Sequence, residues 1–216
     1  MKNPVALDLA IEIFGKDKVI TAEQAAKAWE LEVRADVEIR YSEETLRHCA
    51  TQNRADQADW RLIFVNGLSL HQQREKLGVD SENQPGFSIN VWWLKYFEDC
   101  WAKIRPEAQY YLVNMKPQFA DMDWYSQERI IDRLVKEYDR CNEAVFAEAI
   151  LTVFMISGER ITDHWYHWGR SRSVFGDHIT IGFHSSGEVS GLDVNFYWDS
   201  IANPDVRVVL CRQFEF

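Results

Sequence analysis

Residues 143–168 read EAVFAEAILTVFMISGERITDHWYHW, and the fold prediction starts from this stretch because its apolar residues recur at helical spacing. Asn142 before it is a favourable helix N-cap, and Gly169 follows its last residue. We therefore predict one long helix over residues 143–168. One face of this helix is apolar and the opposite face mixes acidic with apolar side chains, which is typical of a helix lying between two layers.

The segments on either side of this helix predict the rest of an α+β fold. Three strand-like runs separated by short turns follow it, and consecutive strands joined in this way predict an antiparallel C-terminal meander. Two further helices and two short apolar strands precede it, so we expect helices packed on a mostly antiparallel sheet. The predicted strands cover residues 61–65, 110–115, 178–183, 188–198 and 206–216, and the predicted helices cover residues 91–104 and 124–138.

The beginning of the chain differs in character from the rest. Residues 1–55 contain three predicted helices, and the polar stretch that follows has no periodicity. We therefore predict a small helical N-terminal subdomain over residues 1–55 and an α+β core domain over residues 60–216. A DNA-binding helix-turn-helix is not favoured, because residues 32–42 are too long for the tight turn of that motif and the third helix opens with two glutamates.

The charge balance is acidic. The chain of 216 residues carries 24 Lys and Arg against 34 Asp and Glu, a net charge of −10. Neither predicted unit has the basic surplus that binds a phosphate backbone, so nucleic acid is not an expected partner. An acidic protein can also imitate nucleic acid and bind a basic protein, and such a decoy stays open as an alternative.

Sequence features also bear on the compartment. No apolar run approaches the roughly 18 residues of a membrane span, and two acidic residues interrupt the N-terminal apolar pattern, unlike a secretory signal. We expect a cytoplasmic protein with no membrane partner. The cysteines lie far apart without a C-x-x-C motif, which favours free buried thiols. They are Cys49, Cys100, Cys141 and Cys211.

Four residues of the predicted helix form a candidate catalytic cluster. Glu148 lies among apolar neighbours, and a buried carboxylate needs a partner or a proton. Glu159 and Asp163 are one helical turn apart, so a positive group should lie between them. Together with His167, these carboxylates suit acid–base chemistry or a divalent metal. The alternative is a polar seam neutralised by nearby arginines, which the lack of paired E-x-x-H motifs favours; the sequence identifies no cofactor.

The run DHWYHWGRSR, residues 163–172, is a candidate binding segment. Tyr166 and Trp168 suit stacking on a base, a sugar or a peptide, while Arg170 and Arg172 hold an anion. In the structural alternative, the tryptophans are core rings of the last helical turn and the arginines cap its C-terminal end.

A second candidate anion site is the start of a short predicted helix after Ser69. His71 and Arg74 lie in this helix, whose first backbone N–H groups attract anions. The segment lacks the glycine pattern of a phosphate loop, which weakens this interpretation.

No motif in the sequence specifies a reaction. The missing catalytic motifs, the acidic balance and nine tryptophans favour a non-catalytic interaction or regulatory protein of the cytosol with a protein partner. We expect its partner surface around residues 165–172 and 78–88. The alternatives are a small enzyme, with or without a divalent metal, that uses the cluster on the long helix, and the acidic decoy.

Overall fold

The computed structural model describes residues 4–34, 37–79, 85–89, 92–95, 101–134, 137–162, 165–184 and 191–215. None of the helices in these ranges is long and apolar enough to cross a bilayer. The helices are α1 (Leu7–Phe14), α2 (Ala22–Ala28), α3 (Glu43–Arg54), α4 (Leu70–Leu77), α5 (Trp92–Lys95), α6 (Trp124–Leu134) and α7 (Glu143–Ser157). The strands are β1 (Val19–Ile20), β2 (Trp60–Val65), β3 (Gln109–Gln118), β4 (Tyr138–Arg140), β5 (Tyr166–Arg172), β6 (His178–His184), β7 (Gly191–Tyr197) and β8 (Val206–Arg212).

The strands form one mixed sheet in the order β1-β2-β3-β8-β5-β6-β7, and β4 also pairs with β8. The pairs β1–β2 and β5–β8 are parallel. The other pairs are antiparallel. Helices and strands together make an α+β fold, so the predicted class and the mostly antiparallel sheet are confirmed.

Strand β8 lies in the middle of the sheet rather than beside β7. It pairs with β3 along one side and with β4 and β5 along the other. Nearly all its residues are buried, as expected of a strand covered on both faces. The three predicted C-terminal strands exist as β6, β7 and β8, but the meander consists of β5, β6 and β7. The predicted place of the last strand is therefore corrected.

The predicted single helix over residues 143–168 is wrong, because α7 ends at Ser157. Gly158 adopts the left-handed conformation, with φ of 75°, and its N–H donates to Phe154 O at 2.7 Å. A glycine in this conformation is a common helix C-terminus. The chain then turns and enters β5, so His167 and Trp168 belong to a strand. The predicted start is confirmed, since Asn142 Oδ1 accepts the N–H groups of Ala144 and Val145.

Helix α7 lies between the sheet and a second layer of helices. Its residues from Glu143 to Val153 are all buried. On the helical side, Trp29 Nε1 of the loop after α2 donates to Thr152 Oγ1 at 2.8 Å, and Gln73 Nε2 of α4 donates to Ala144 O at 2.8 Å. On the sheet side, the Phe146 ring meets the ring of His167 of β5 with centroids 4.8 Å apart. The sandwiched position explains why α7 has no polar face.

Two other predicted helices are shorter than expected. The helix predicted over residues 124–138 ends at Leu134, and Tyr138 already belongs to β4. Of the helix predicted over residues 91–104, the structure shows α5 and a 3₁₀ turn at Trp101–Lys103. The rest of that prediction lies outside the described residues.

The N-terminal helices share an apolar core with the sheet. Strand β1 pairs with β2, and Trp29 and Leu46 are buried in the same cluster as Leu62. A capping box begins α2, with reciprocal bonds between Thr21 and Gln24. The division into residues 1–55 and 60–216 stays a prediction.

Candidate binding surface

The carboxylate of Glu148 is a buried anchor for the turn after β2. It has no exposed surface, and it accepts the backbone N–H of Asn66, the Asn66 side-chain amide at 3.0 Å and the N–H of Leu68 at 2.9 Å. Burial raises the pKa of Glu148 to about 7, although these donors act in the opposite direction. Its partners are backbone and amide groups rather than the predicted acids, histidine or arginines.

Glu159 lies at the surface and pairs with an arginine that is distant in sequence, not with one of the nearby arginines of the seam alternative. Its two oxygens accept from Arg61 Nη1 at 2.7 Å and Arg61 Nη2 at 2.8 Å, and Arg61 also pairs with Asp59. These hydrogen bonds from Arg61 lower the pKa of Glu159. Asp163 lies outside the described residues.

His167 is a structural histidine on the sheet face beneath α7. Its Nδ1 accepts the N–H of Val209 at 3.0 Å, so Nε2 carries the proton and donates to Cys141 O at 2.8 Å. Burial lowers the pKa of His167 to about 3, which keeps the ring neutral. The structure therefore does not bring Glu148, Glu159 and His167 together. Within the described ranges, no group of three or more His, Cys, Asp or Glu side chains could hold a metal ion.

Of the two predicted stacking residues, one is buried and the other is partly exposed. Trp168 is fully buried, and its ring packs against Tyr197 with centroids 6.0 Å apart. Tyr166 is half-buried, and its hydroxyl donates to Asp193 at 3.3 Å. Trp168 is therefore a core ring, as the structural alternative proposed, but it is a ring of a strand and not of a helix end.

Arg170 is held by two carboxylates. Its guanidinium pairs with Asp139 at 2.5 Å and with Glu128 at 3.3 Å. Glu128 also accepts from Arg140 Nε at 3.1 Å, so the acids of β4 and α6 neutralise the arginines of this region. The predicted anion-binding role of Arg170 stays a prediction.

The start of α4 is partly satisfied by its own residues. Ser69 and Gln72 form a capping box, which uses the N–H groups of these two residues. His71 pairs with Glu75 at 3.4 Å. Arg74 Nη1 donates to Ser88 O at 2.7 Å, and its guanidinium lies 5.8 Å from the Trp93 ring centroid. Both side chains therefore contact neighbouring groups of the fold, and an anion site here stays a prediction.

Arg172, the remaining predicted binding residue, belongs to a cluster that joins the start of α6 to two turns. Its Nη1 donates to Asp199 Oδ2 at 2.9 Å. Asp199 Oδ1 accepts from the backbone N and the Nδ1 of His178, each at 2.8 Å. The His178 ring is stacked on Trp124, with centroids 3.8 Å apart and planes 6° apart. We call Trp124, Arg172, His178 and Asp199 the loop cluster.

The loop cluster fixes the relative position of α6 and two turns. Trp124 N at the start of α6 donates to Asp199 O at 3.0 Å, and Asp199 lies in the turn between β7 and β8. Arg172 and His178 flank the turn between β5 and β6. Sequence reasoning missed His178 and Asp199, because the residues lie in separate segments and no local pattern links them.

Five large apolar side chains are exposed in α6 and in the two turns that the loop cluster joins. We call them the end surface: Tyr125 at 47% exposure, Val174 at 52%, Phe175 at 61%, Trp198 at 60% and Ile201 at 40%. Exposed apolar side chains that share one end of a protein are typical of an interaction site.

Comparison with known protein families, with curated proteins and with solved structures found no match to this chain.

Proposed function

We propose that the protein is a non-catalytic interaction protein that binds an apolar segment of a partner protein at the end surface. The observation that carries this proposal is the exposure of five large apolar side chains around the loop cluster. Tryptophan, tyrosine and phenylalanine supply much of the binding energy in protein interfaces. The end surface contains one of each: Trp198, Tyr125 and Phe175.

The loop cluster supports this proposal because it prepares the surface for binding. Asp199 is only 6% exposed, and its carboxylate accepts hydrogen bonds from His178 and Arg172. The turns that carry Phe175 and Trp198 are thereby fixed before a partner arrives. A pre-organised surface loses less conformational entropy on binding than a flexible one.

The charge near the end surface indicates the chemistry of the partner. Asp121, Asp123 and Asp177 lie in the segments beside it, and the whole chain has a net charge of −10. A partner segment with lysine or arginine next to its apolar residues would complement this charge. The proposed partner is therefore an apolar segment with basic flanks.

Replacing Trp198 with alanine is expected to abolish partner binding without unfolding the protein. The ring is 60% exposed, so its removal opens no cavity, whereas truncation of a central aromatic residue often weakens an interface by about 2 kcal/mol or more. The measurement is affinity purification from the source cell with tagged wild-type and variant chains, followed by mass spectrometry.

Ile104→Ala is the matched control for this experiment. Ile104 is exposed to 62% and apolar, but it lies outside the end surface. A partner that is retained by Ile104→Ala and lost by Trp198→Ala supports the proposal. Equal retention by both variants would contradict it.

A second candidate function, an acid–base enzyme, is favoured by the pair His178 and Asp199. Asp199 fixes the imidazole through Nδ1, and none of the residues that the structure describes hydrogen-bonds to Nε2. Burial lowers the pKa of His178, against the opposing effect of Asp199, so the ring is neutral at pH 7. A neutral imidazole held by a carboxylate is the arrangement of a general base. This pair differs from the cluster predicted on the long helix.

The enzyme alternative predicts an activity that depends on His178. Wild type and His178→Gln would be assayed with sets of carboxylic and phosphoric esters, and thermal melting would verify that the variant folds. Hydrolysis by wild type that falls by about a hundredfold in the variant would support it. The absence of any difference between the two chains would remove this alternative. The decoy role stays a prediction.

A further inference from the structure

A cavity of about 340 Å³ lies between the sheet, the start of α7 and the segment after β8. Tyr111 of β3, Cys211 of β8, Val145 of α7 and Phe214 are among the residues that line it. The strand register accounts for this arrangement. Cys211 pairs with Val113, and Tyr111 lies two residues from Val113, so Tyr111 and Cys211 face the same side of the sheet.

A second thiol lies next to Cys211 on the same face. Asp139 of β4 pairs with Cys211, and Cys141 two residues further along donates its backbone N–H to Val209 O at 2.9 Å. This register makes Cys141 and Cys211 diagonal neighbours on one face, and, after burial, the Cys211 thiol contributes to the raised pKa of Cys141. A disulfide requires the two sulfur atoms to approach to about 2 Å, so its formation would draw β4 and β8 together at this point.

The two thiols differ in their access to solvent. Cys211 retains 7% exposure and lines the cavity, whereas Cys141 has none. Burial also raises the pKa of Cys141, so this group stays a thiol at neutral pH. Cys49, the other free cysteine in the described residues, is fully buried and does not line this cavity.

We propose that Cys141 and Cys211 are a redox pair that a hydroperoxide entering this cavity converts to a disulfide. In the first step the Cys211 sulfur attacks the outer peroxide oxygen and the O–O bond breaks. Cys211 becomes a sulfenic acid, and the leaving oxygen takes the thiol proton and departs as an alcohol or water. In the second step the Cys141 sulfur attacks the Cys211 sulfur, and hydroxide leaves with the Cys141 proton as water. The two thiols lose two electrons in total, and the peroxide gains them.

The disulfide would connect two elements that are far apart in the chain. Cys141 lies between β4 and α7, and Cys211 lies in β8 at the centre of the sheet. Oxidation would therefore tie the start of α7 to β8 and narrow the cavity between them. This inference does not depend on the proposed partner binding, because the end surface shares no residue with the cavity.

Peptide mapping after oxidation tests the proposal. The full chain with Cys100→Ser is used, because Cys100 lies outside the described residues. Native protein is treated with hydrogen peroxide, the oxidant is quenched, and the remaining thiols are alkylated after denaturation. We expect the peptides of Cys141 and Cys211 to be joined, to separate with dithiothreitol, and to be oxidised at least about tenfold faster than Cys49.

Two variants separate the steps. In Cys141→Ser, Cys211 is expected to advance to sulfenic and sulfinic acid, because no thiol remains beside it. In Cys211→Ser, Cys141 is expected to stay reduced, because it has no contact with solvent. Circular dichroism verifies that each variant folds. If a variant does not fold, the peptide mapping of the Cys100→Ser chain alone tests the proposal. Recovery of both thiols in the alkylated form, or a bond from either to Cys49, would overturn the proposal.

Discussion

The stability of the protein is expected to fall as the pH rises from 4.5 to 7, and the substitution Glu148→Gln is expected to remove most of this fall. The folded protein raises the pKa of Glu148 from 4.5 to about 7 by burial. Between these values the folded state holds a proton that the unfolded chain has lost. Because unfolding releases this proton, a rise in pH within this range lowers the free energy of unfolding. The total loss is up to about 3 kcal/mol and is complete above pH 7.

The glutamine variant separates charge from hydrogen bonding. Its amide cannot titrate, and its NH₂ group faces the N–H of Leu68, which now donates to Glu148. Two donors in contact cost about 1–3 kcal/mol, so Glu148→Gln is expected to be less stable than wild type at pH 5. Urea unfolding at pH 5 and pH 8 measures both effects. The difference in free energy of unfolding between the two proteins should shrink by about 3 kcal/mol at the higher pH. Parallel pH profiles of the two proteins would contradict the raised pKa of Glu148.

Substitution of Arg140 by methionine is expected to destabilise the fold by about 3 kcal/mol. The Arg140 side chain has no exposed surface, and burial lowers its pKa to about 10. Its Nη1 donates to Gln127 Oε1 at 3.1 Å and to Trp168 O at 2.9 Å. Methionine keeps most of the packing but leaves these buried acceptors, and one oxygen of Glu128, without a donor.

Arg170→Met is the control for this second prediction. Arg170 pairs with the same Glu128, but its side chain is 48% exposed, so its loss is expected to cost less than about 1 kcal/mol. Denaturant unfolding at neutral pH measures both variants. Equal losses would contradict the assignment of Arg140 as a buried link. A loss below about 1 kcal/mol for Arg140→Met would show that its desolvation cancels its hydrogen bonds.

Local signals in the sequence predicted several elements well. The apolar run at residues 61–65 became β2 at Trp60–Val65, and the run at 110–115 became the inner part of β3. The capping residue Asn142 begins α7 as predicted. In each case the residues that specify the element lie within the element or next to it.

The end of α7 shows why the candidate cluster failed. Its helical spacing continued past Gly158, yet glycine at a left-handed position ends a helix more readily than continued spacing extends it. The residues that follow are rich in aromatic side chains, which also favour strands. Pairing with β6 and β8 then decides in favour of a strand. The projection of Glu159 and His167 onto one helical face therefore had no basis.

The loop cluster could not have been predicted from local patterns. Trp124, Arg172, His178 and Asp199 come from three regions of the chain, and they meet only because β5, β6 and β7 are adjacent in the sheet. The end surface depends on the same geometry. Apolar residues such as Trp198 had no signal of exposure in the sequence, because an aromatic residue is assigned to the core by default.

The central position of β8 determines when the sheet can close during synthesis on the ribosome. The ribosome produces β1, β2 and β3 first, then β5, β6 and β7, and β8 emerges after all of them. Until it emerges, the strands β1-β2-β3 and β5-β6-β7 belong to two separate half-sheets, because β8 is the strand that joins them. Each half-sheet then has an unpaired edge strand. These unpaired edges favour aggregation of the nascent chain until β8 pairs with them, and closure of the sheet is a late, long-range event.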